Sequence, residues 1–201
     1  MRIVSAWKAA ELLRGGGVGL VPTETVVGLV AGSRQGLERL FEMKARDPGK
    51  PIAMLCSSVE SALLRFEKAP PLAWLLAERF WPGPLTLVLD DSNGGTVGLR
   101  VPDHSSMREV FAYGASRYYA TSANISGEPA PAALGRVDSR VVRSVDFCLP
   151  GTPGDGEASA VVDLSGGRTR LIRPGPGLSE DILLQFAAEG AVPRTHPPFA
   201  V

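Results

Sequence analysis

Several short polar segments carry side chains that could do chemistry. Lys44, Arg46 and Lys50 gather positive charge at the end of one segment and in the loop after it. An arginine fork matches paired phosphate oxygens and a lysine adds point charge, so this cluster could clamp a polyphosphate. The same cluster also suits a solvated face at a helix C-terminus. Its spacing is not GxxxxGK[ST], so it is no phosphate loop of that type. Pro22-Thr23-Glu24-Thr25 could present short hydroxyls to a small zwitterion, or serve as a turn whose hydroxyls satisfy its own backbone. Thr121-Ser122-Ala123-Asn124-Ile125-Ser126-Gly127 reads as a polar cradle for phosphate and ribose oxygens, or as a hydroxyl turn leading into a helix at Pro129.

Arg100 ends an otherwise apolar run, with His104 just beyond. A cation there needs a partner, which is either structural or a substrate carboxylate. His104 reads as a capping or hydrogen-bonded histidine. Ser159 precedes Val161-Val162-Asp163, and Arg173-Pro174-Gly175 follows the next apolar run. Taken alone, Asp163 is a strand-end turn residue and Arg173 a surface charge. The histidines are His104 and His196 and the cysteines Cys56 and Cys148, which supports no zinc site. No GxSxG nucleophile elbow occurs.

These segments must be positioned by regular elements. Ser5 caps an expected helix to Arg14, stopped by Gly15-Gly16-Gly17. Val18–Val21 reads as a buried strand and Pro22–Thr25 as a polar turn. Leu37, Leu40, Phe41 and Lys44 fall at helical spacing, which predicts a helix over 35–44 with a basic last turn. A strand over 52–56, a helix over 59–66 and a helix opened by Pro70-Pro71 follow. Leu85–Leu89 and Thr96–Val101 flank Asn93-Gly94-Gly95, the turn chemistry of an antiparallel hairpin. A helix capped by Ser105, strands over 118–121, 145–149, 160–164 and 170–173, and a last helix capped by Ser179 complete the pattern. Strands and helices alternate, so the expected fold is α/β: a twisted mixed sheet, parallel and antiparallel, with flanking helices. Residues 1–190 form the expected domain and 191–201 a Pro-rich mobile tail.

Bulk properties agree. The chain has 201 residues, 44% hydrophobic and 21% charged, enough for a sizeable core. Lys plus Arg equals Asp plus Glu at 21 each, so no global basic signal for nucleic acid exists. The two cysteines sit in apolar runs and read as buried free thiols of a reducing compartment. The first residues lack the pattern of a signal peptide, and no apolar run reaches about 18 residues. A cytoplasmic location without membrane association is the expectation.

The combination is more specific than any one motif. PTETVVGL, KARDPGKPI, WPGPLT, TVGLRVPDH, ATSANISG, SAVVDL and IRPG occur in this order, between about Gly15 and Gly175. The chain thereby resembles the YrdC-like family of threonylcarbamoyl-adenylate synthases, in a short single-domain form. The resemblance implies an enzyme that makes threonylcarbamoyl-AMP and pyrophosphate from L-threonine, bicarbonate and ATP. That adenylate would serve threonylcarbamoyladenosine modification of tRNA, through a downstream threonylcarbamoyl-transferase complex. By the family pattern, Lys44, Arg46, Ser122 and Asn124 form the catalytic set. Thr25, Arg100, Ser122 and Ser159 match positions expected to hold threonine. Arg46, Lys50, Thr96, Asn124 and Arg173 match positions expected to contact ATP, with Mg2+ carried on its phosphates.

Departures from the family pattern are few. Val27 stands where relatives usually carry Tyr, which would remove an aromatic wall from the pocket. Ala45 replaces the Gly of KGR, a mild change, and Ala160 replaces the Thr of STVVD. The His that some longer relatives carry near Leu55, and the Thr or Ser near Ala132, are absent. Two other readings compete. One is a double-stranded RNA- or tRNA-binding module of the same fold without the activity. The other is the carbamoyl-adenylate module of hydrogenase-maturation proteins, whose zinc-finger cysteines are missing here.

Overall fold

The computed structural model describes residues 2–45, 52–64, 66 and 69–190. Arg46, Lys50 and the expected tail 191–201 lie outside the described residues. In chain order the elements are α1 (Ala6–Arg14), β1 (Val18–Pro22), β2 (Val27–Ala31), α2 (Arg34–Met43), β3 (Ala53–Cys56), α3 (Val59–Leu63) and α4 (Pro71–Phe80). Then come β4 (Leu85–Asp90), β5 (Thr96–Arg100), α5 (Ser105–Tyr113), β6 (Arg117–Ser122), α6 (Ser139–Ser144), β7 (Phe147–Cys148), β8 (Ala160–Asp163), β9 (Arg170–Arg173) and α7 (Glu180–Gly190). The strands join one sheet in the order β7-β1-β2-β6-β3-β5-β4-β8-β9. It is mixed as expected: β1–β7, β3–β5 and β4–β8 are parallel, the other pairs antiparallel.

Most elements follow the sequence pattern, with corrections at particular residues. Ser5 caps α1 by accepting from the Lys8 amide, and Ala6, Ala9, Ala10 and Leu13 form its buried stripe. The helix expected at Pro129 is absent; a single 3-10 turn forms at Leu134–Arg136 instead. His104, not Ser105, caps α5: its Nδ1 accepts from the Ser106 amide, and its Nε2 lies 3.1 Å from the Thr152 carbonyl. Nδ1 as acceptor leaves the proton on Nε2, so the histidine is a cap, as one sequence reading had it. Lys44 follows α2 as its C-cap rather than forming a basic last turn.

The two faces of the sheet explain where a site can exist. β1 and β2 are buried along their whole length. Val18, Leu20, Val27, Leu29 and Ala31 pack on one side with Leu40 of α2. Val21 and Val30 pack on the other with α1 and α5. The β3–β5–β4–β8 half is different. Leu85, Leu87, Leu89, Leu99, Ala160 and Val162 bury one face under α3, α4 and α7. The alternate residues of the same strands form the opposite face, and apart from Leu55 they are Ala, Gly, Val, Thr, Arg and Asp. The register sets Ala120 against Ala53, Ala53 against Gly98, Gly98 against Val88 and Val88 against Asp163, one row across β6, β3, β5, β4 and β8. A floor of such short side chains leaves open space above it.

Candidate active site

That space is a cleft of about 520 Å3, a size that suits a small-molecule ligand. Thr25, Thr96, Arg100, Ser122, Ser159 and Arg173 line it, drawn from sequence positions far apart. Gly98 lies in the floor, where an added Cβ would come within 3.3 Å of Thr86 Cγ2 and 3.4 Å of Ala53 Cβ.

One wall is the turn between β1 and β2. Thr23 folds it inward: its Oγ1 donates to the Val26 carbonyl at 2.7 Å and lies 2.9 Å from Thr25 Oγ1. The segment before β8 backs the turn, with the Gly154 amide donating to Thr23 O and the Gly156 amide to Thr25 O, each at 2.9 Å. A Cβ on Gly154 would fall 1.7 Å from Glu24 O, so only glycine permits this approach.

Arg100 closes the same end. Its Nε donates to Gly83 O at 3.2 Å, and its Nη2 to Glu24 Oε1 at 2.7 Å and Thr25 Oγ1 at 2.9 Å. Nη1 takes no partner among the described residues, and Arg100 lines the cleft. Both readings of Arg100 are thus compatible with its geometry: a structural partner on one edge and a free donor pair on the other.

At the β8–β9 end, Ser159 Oγ lies 3.0 Å from Thr86 Oγ1. Arg173 Nε donates to Ser159 O at 2.9 Å and its Nη2 reaches Ser159 Oγ at 3.4 Å. Burial first, and the charge of Arg100 second, push the Arg173 pKa below its ordinary value. Among the described residues Arg173 has no carboxylate partner. Asp163, the acid in the floor row, accepts from Ser165 and from Arg170 Nη2 at 2.6 Å. Burial alone would raise its pKa, but the Arg170 and Ser165 bonds outweigh it and hold the carboxyl below the usual range.

The third wall is the end of β6. Lys44 is 1% exposed, and its Nζ donates to Ser122 O and, at 3.2 Å, to Asn124 Oδ1. Ser122 Oγ also donates to Asn124 Oδ1. The Asn124 amide donates to Ile125 O at 2.9 Å and to Glu128 O at 2.6 Å, which fixes the loop. Ser122 lines the cleft, while Lys44 and Asn124 stand behind it in one hydrogen-bonded group. Arg46 and Lys50 of the expected set lie outside the described residues.

Two departures acquire a physical meaning. Val27 is fully buried on the core face of β2, while Val26 and Gly28 line the cleft. Alternation along the strand turns Val27 away, so its side chain forms no cleft wall, contrary to the sequence reading. Ala45 has φ 47°, the left-handed region. Glycine takes that conformation freely, whereas alanine is strained there by about 1–2 kcal/mol. The replacement is therefore less mild than its chemistry suggests. Sequence reasoning also missed Thr86 as a partner of Ser159, and Glu24 as the partner of Arg100.

The comparisons with known proteins converge on one group. The Sua5–YciO–YrdC family model, described as "Telomere recombination", matches residues 11–175. The threonylcarbamoyl-AMP synthase of Pyrococcus abyssi is 35% identical over 187 residues, covering 86% of this chain and 55% of that protein. A putative threonylcarbamoyl-AMP synthase of Mycobacterium tuberculosis is 34% identical over 205 residues, covering 94% of this chain and 89% of that protein. The crystal structure of P. abyssi Sua5 complexed with L-threonine aligns with a TM-score of 0.83 at 31% identity, over 94% of this chain and 62% of that one. The chain thus spans only part of the P. abyssi protein's length.

Proposed function

The chain belongs to the Sua5–YciO–YrdC family, and from that premise we propose that it forms threonylcarbamoyl-AMP and pyrophosphate from L-threonine, bicarbonate and ATP. The observation that carries this reading is the seating of two kinds of group around one cleft. The Thr25 hydroxyl and Arg100 suit an amino acid. Arg173, across β4 and β8 from Arg100, is a guanidinium whose pKa is lowered by burial and by the Arg100 charge and which has no carboxylate partner among the described residues. A bound phosphate would reverse that penalty. The P. abyssi protein crystallised with L-threonine supports the amino-acid assignment.

Two bonds form in the proposed reaction. The threonine amine attacks carbon dioxide, in equilibrium with bicarbonate, and loses a proton to give a carbamate. A carbamate oxygen then attacks the α-phosphorus of ATP, and pyrophosphate leaves with the electrons of the broken P–O bond. Arg100 anchors the threonine carboxylate through Nη1, while Thr25, Ser122 and Ser159 orient its polar groups. Arg173 meets the nucleotide phosphates, and Thr96, at the other end of β5 from Arg100, lines the same cleft. Lys44 and Asn124 hold the Ser122 loop in place and bring positive charge behind it. By the family pattern, Arg46 and Lys50 add to the phosphate clamp. Catalysis on this account is positioning and charge neutralisation. Among the described residues no three His, Cys, Asp or Glu side chains converge as a metal site. Asp163 is already engaged by Arg170 and Ser165. Magnesium would therefore arrive on the triphosphate oxygens, as this ion commonly does.

The product would feed a threonylcarbamoyl-transferring complex that modifies tRNA. Among the described residues no helix is long and apolar enough to cross a membrane. The test is product identity. Label from bicarbonate and from the α-phosphate of ATP should migrate together in one adenylate when threonine is present. Absence of a doubly labelled product would overturn the reading.

A further inference from the structure

We propose that Glu24 determines the specificity of the amino-acid end of the cleft: by neutralising Arg100, it makes that end select a zwitterion and refuse polyphosphate. This rests on the assignment of threonine to the Arg100 end.

The pair is built in an unusual way. A carboxylate and a guanidinium that serve stability alone favour two parallel bonds, which satisfy both oxygens. Here Arg100 donates to Glu24 through Nη2 only, and divides that nitrogen with Thr25. Glu24 Oε2 is left buried with no partner among the described residues. An unsatisfied buried oxygen lowers stability. What the arrangement gains is a guanidinium whose Nη1 edge stays open, beside a carboxylate that cancels its charge. The side chains of Arg100 and Glu24 are only 9% and 17% exposed, so their charges act on each other and on a ligand with little screening.

The Glu24 backbone is fixed as firmly. Gly154 and Gly156 bond the residues on either side of it, and Gly154 lies against its carbonyl. The carboxylate therefore cannot swing away with the turn.

The consequence is electrostatic. A bare guanidinium would take any anion, and a polyphosphate carries more charge than an amino-acid carboxylate. With Glu24 in place, the Arg100–Glu24 pair carries no net charge, so a ligand that is itself neutral overall meets no repulsion from it. A polyphosphate would set several negative charges beside a buried carboxylate. At separations of about 6 Å and a protein-like dielectric, one such repulsion is worth about a hundredfold in affinity. Arg173, which no carboxylate offsets among the described residues, is left as the attractive cation for phosphate.

The experiment is a set of calorimetric titrations. L-threonine, its 2-hydroxy analogue (the same carboxylate without the ammonium) and inorganic pyrophosphate are each titrated into the wild-type chain and the Glu24→Gln variant. The wild type should prefer threonine to the hydroxy acid by about tenfold or more, and pyrophosphate should not displace threonine. In Glu24→Gln the preference should fall below about threefold, and pyrophosphate should compete with threonine. A variant that keeps the wild-type preference and resists pyrophosphate overturns the inference. If the variant does not fold, the wild type decides alone: equal affinity for the hydroxy acid and threonine overturns the inference. A wild type that binds no threonine at all sinks the proposed function itself, and the inference with it.

Discussion

Replacing Arg100 with methionine separates what this residue does for the fold from what it does for the substrate. The side chain makes three bonds: to Glu24 Oε1 at 2.7 Å, Thr25 Oγ1 at 2.9 Å and Gly83 O at 3.2 Å. Methionine keeps the length but strands the Glu24 carboxylate, whose second oxygen is already without a partner among the described residues. Breaking a buried pair by removing one member costs about 3–5 kcal/mol. The losses at Thr25 and Gly83 overlap with that figure, since all three bonds share one guanidinium. For a domain of this size each kcal/mol moves Tm by about 2–4 °C, so Arg100→Met should melt roughly 6–20 °C lower. Adding Glu24→Gln removes the stranded charge and should recover at least about 2 kcal/mol. Threonine affinity behaves differently. Loss of a charge-assisted anchor costs about 10–100-fold, and the double variant should not regain it. Thermal melts with threonine titrations on the wild type, the single and the double variant read both quantities. A double variant no more stable than the single would refute the buried-pair argument. One that recovers threonine binding would refute the anchor.

Other perturbations test neighbouring parts of the account. Gly98→Val projects side-chain atoms from the cleft floor beside Thr86 and Ala53; pyrophosphate release should fall more than about tenfold while the melt stays within a few degrees. Ala45→Gly relieves the φ 47° strain; the usual loss of about 0.5–1 kcal/mol for Ala→Gly should be absent or reversed in denaturant unfolding. Burial pushes the Cys56 thiol up to about 12 and raises Cys148 as well; at pH 8 neither should react with maleimide in the folded chain, and both should react in urea. The carboxyls of Asp146 and Asp163 are held low by Arg39 and Arg170 against the upward push of burial. A carboxyl whose folded pKa is depressed adds stability above its unfolded value near 4, lost as pH falls through the folded value. Denaturant midpoints should therefore be flat from pH 7 to 5 and drop below about pH 4, less steeply in Asp163→Asn.

The α/β class, the hairpin of β4 and β5 and most helices were legible in local patterns, because those elements show periodicity or turn chemistry. β2 was not read as a strand, although Val27–Ala31 is buried as fully as β1. Helix α6 (Ser139–Ser144), capped by Asp138, was not read either. The motifs that carry Thr25, Arg100, Ser122, Ser159 and Arg173 were legible one by one, and the fold brings these residues around one space. The burial of Lys44 was not, because nothing local tells a helix-end lysine that it will lie under a loop 78 residues away. The pairing of Glu24 with Arg100 likewise spans 76 residues and depends on strand order, which one sequence does not display.

The central claim is that one cleft brings the carbamate of threonine to the α-phosphorus of ATP. Its most direct test is the phosphate balance of the wild-type reaction with each substrate omitted in turn. The account predicts one pyrophosphate for each adenylate formed, and only when threonine, bicarbonate and ATP are all present. ADP with inorganic phosphate, or pyrophosphate released without threonine, would contradict it.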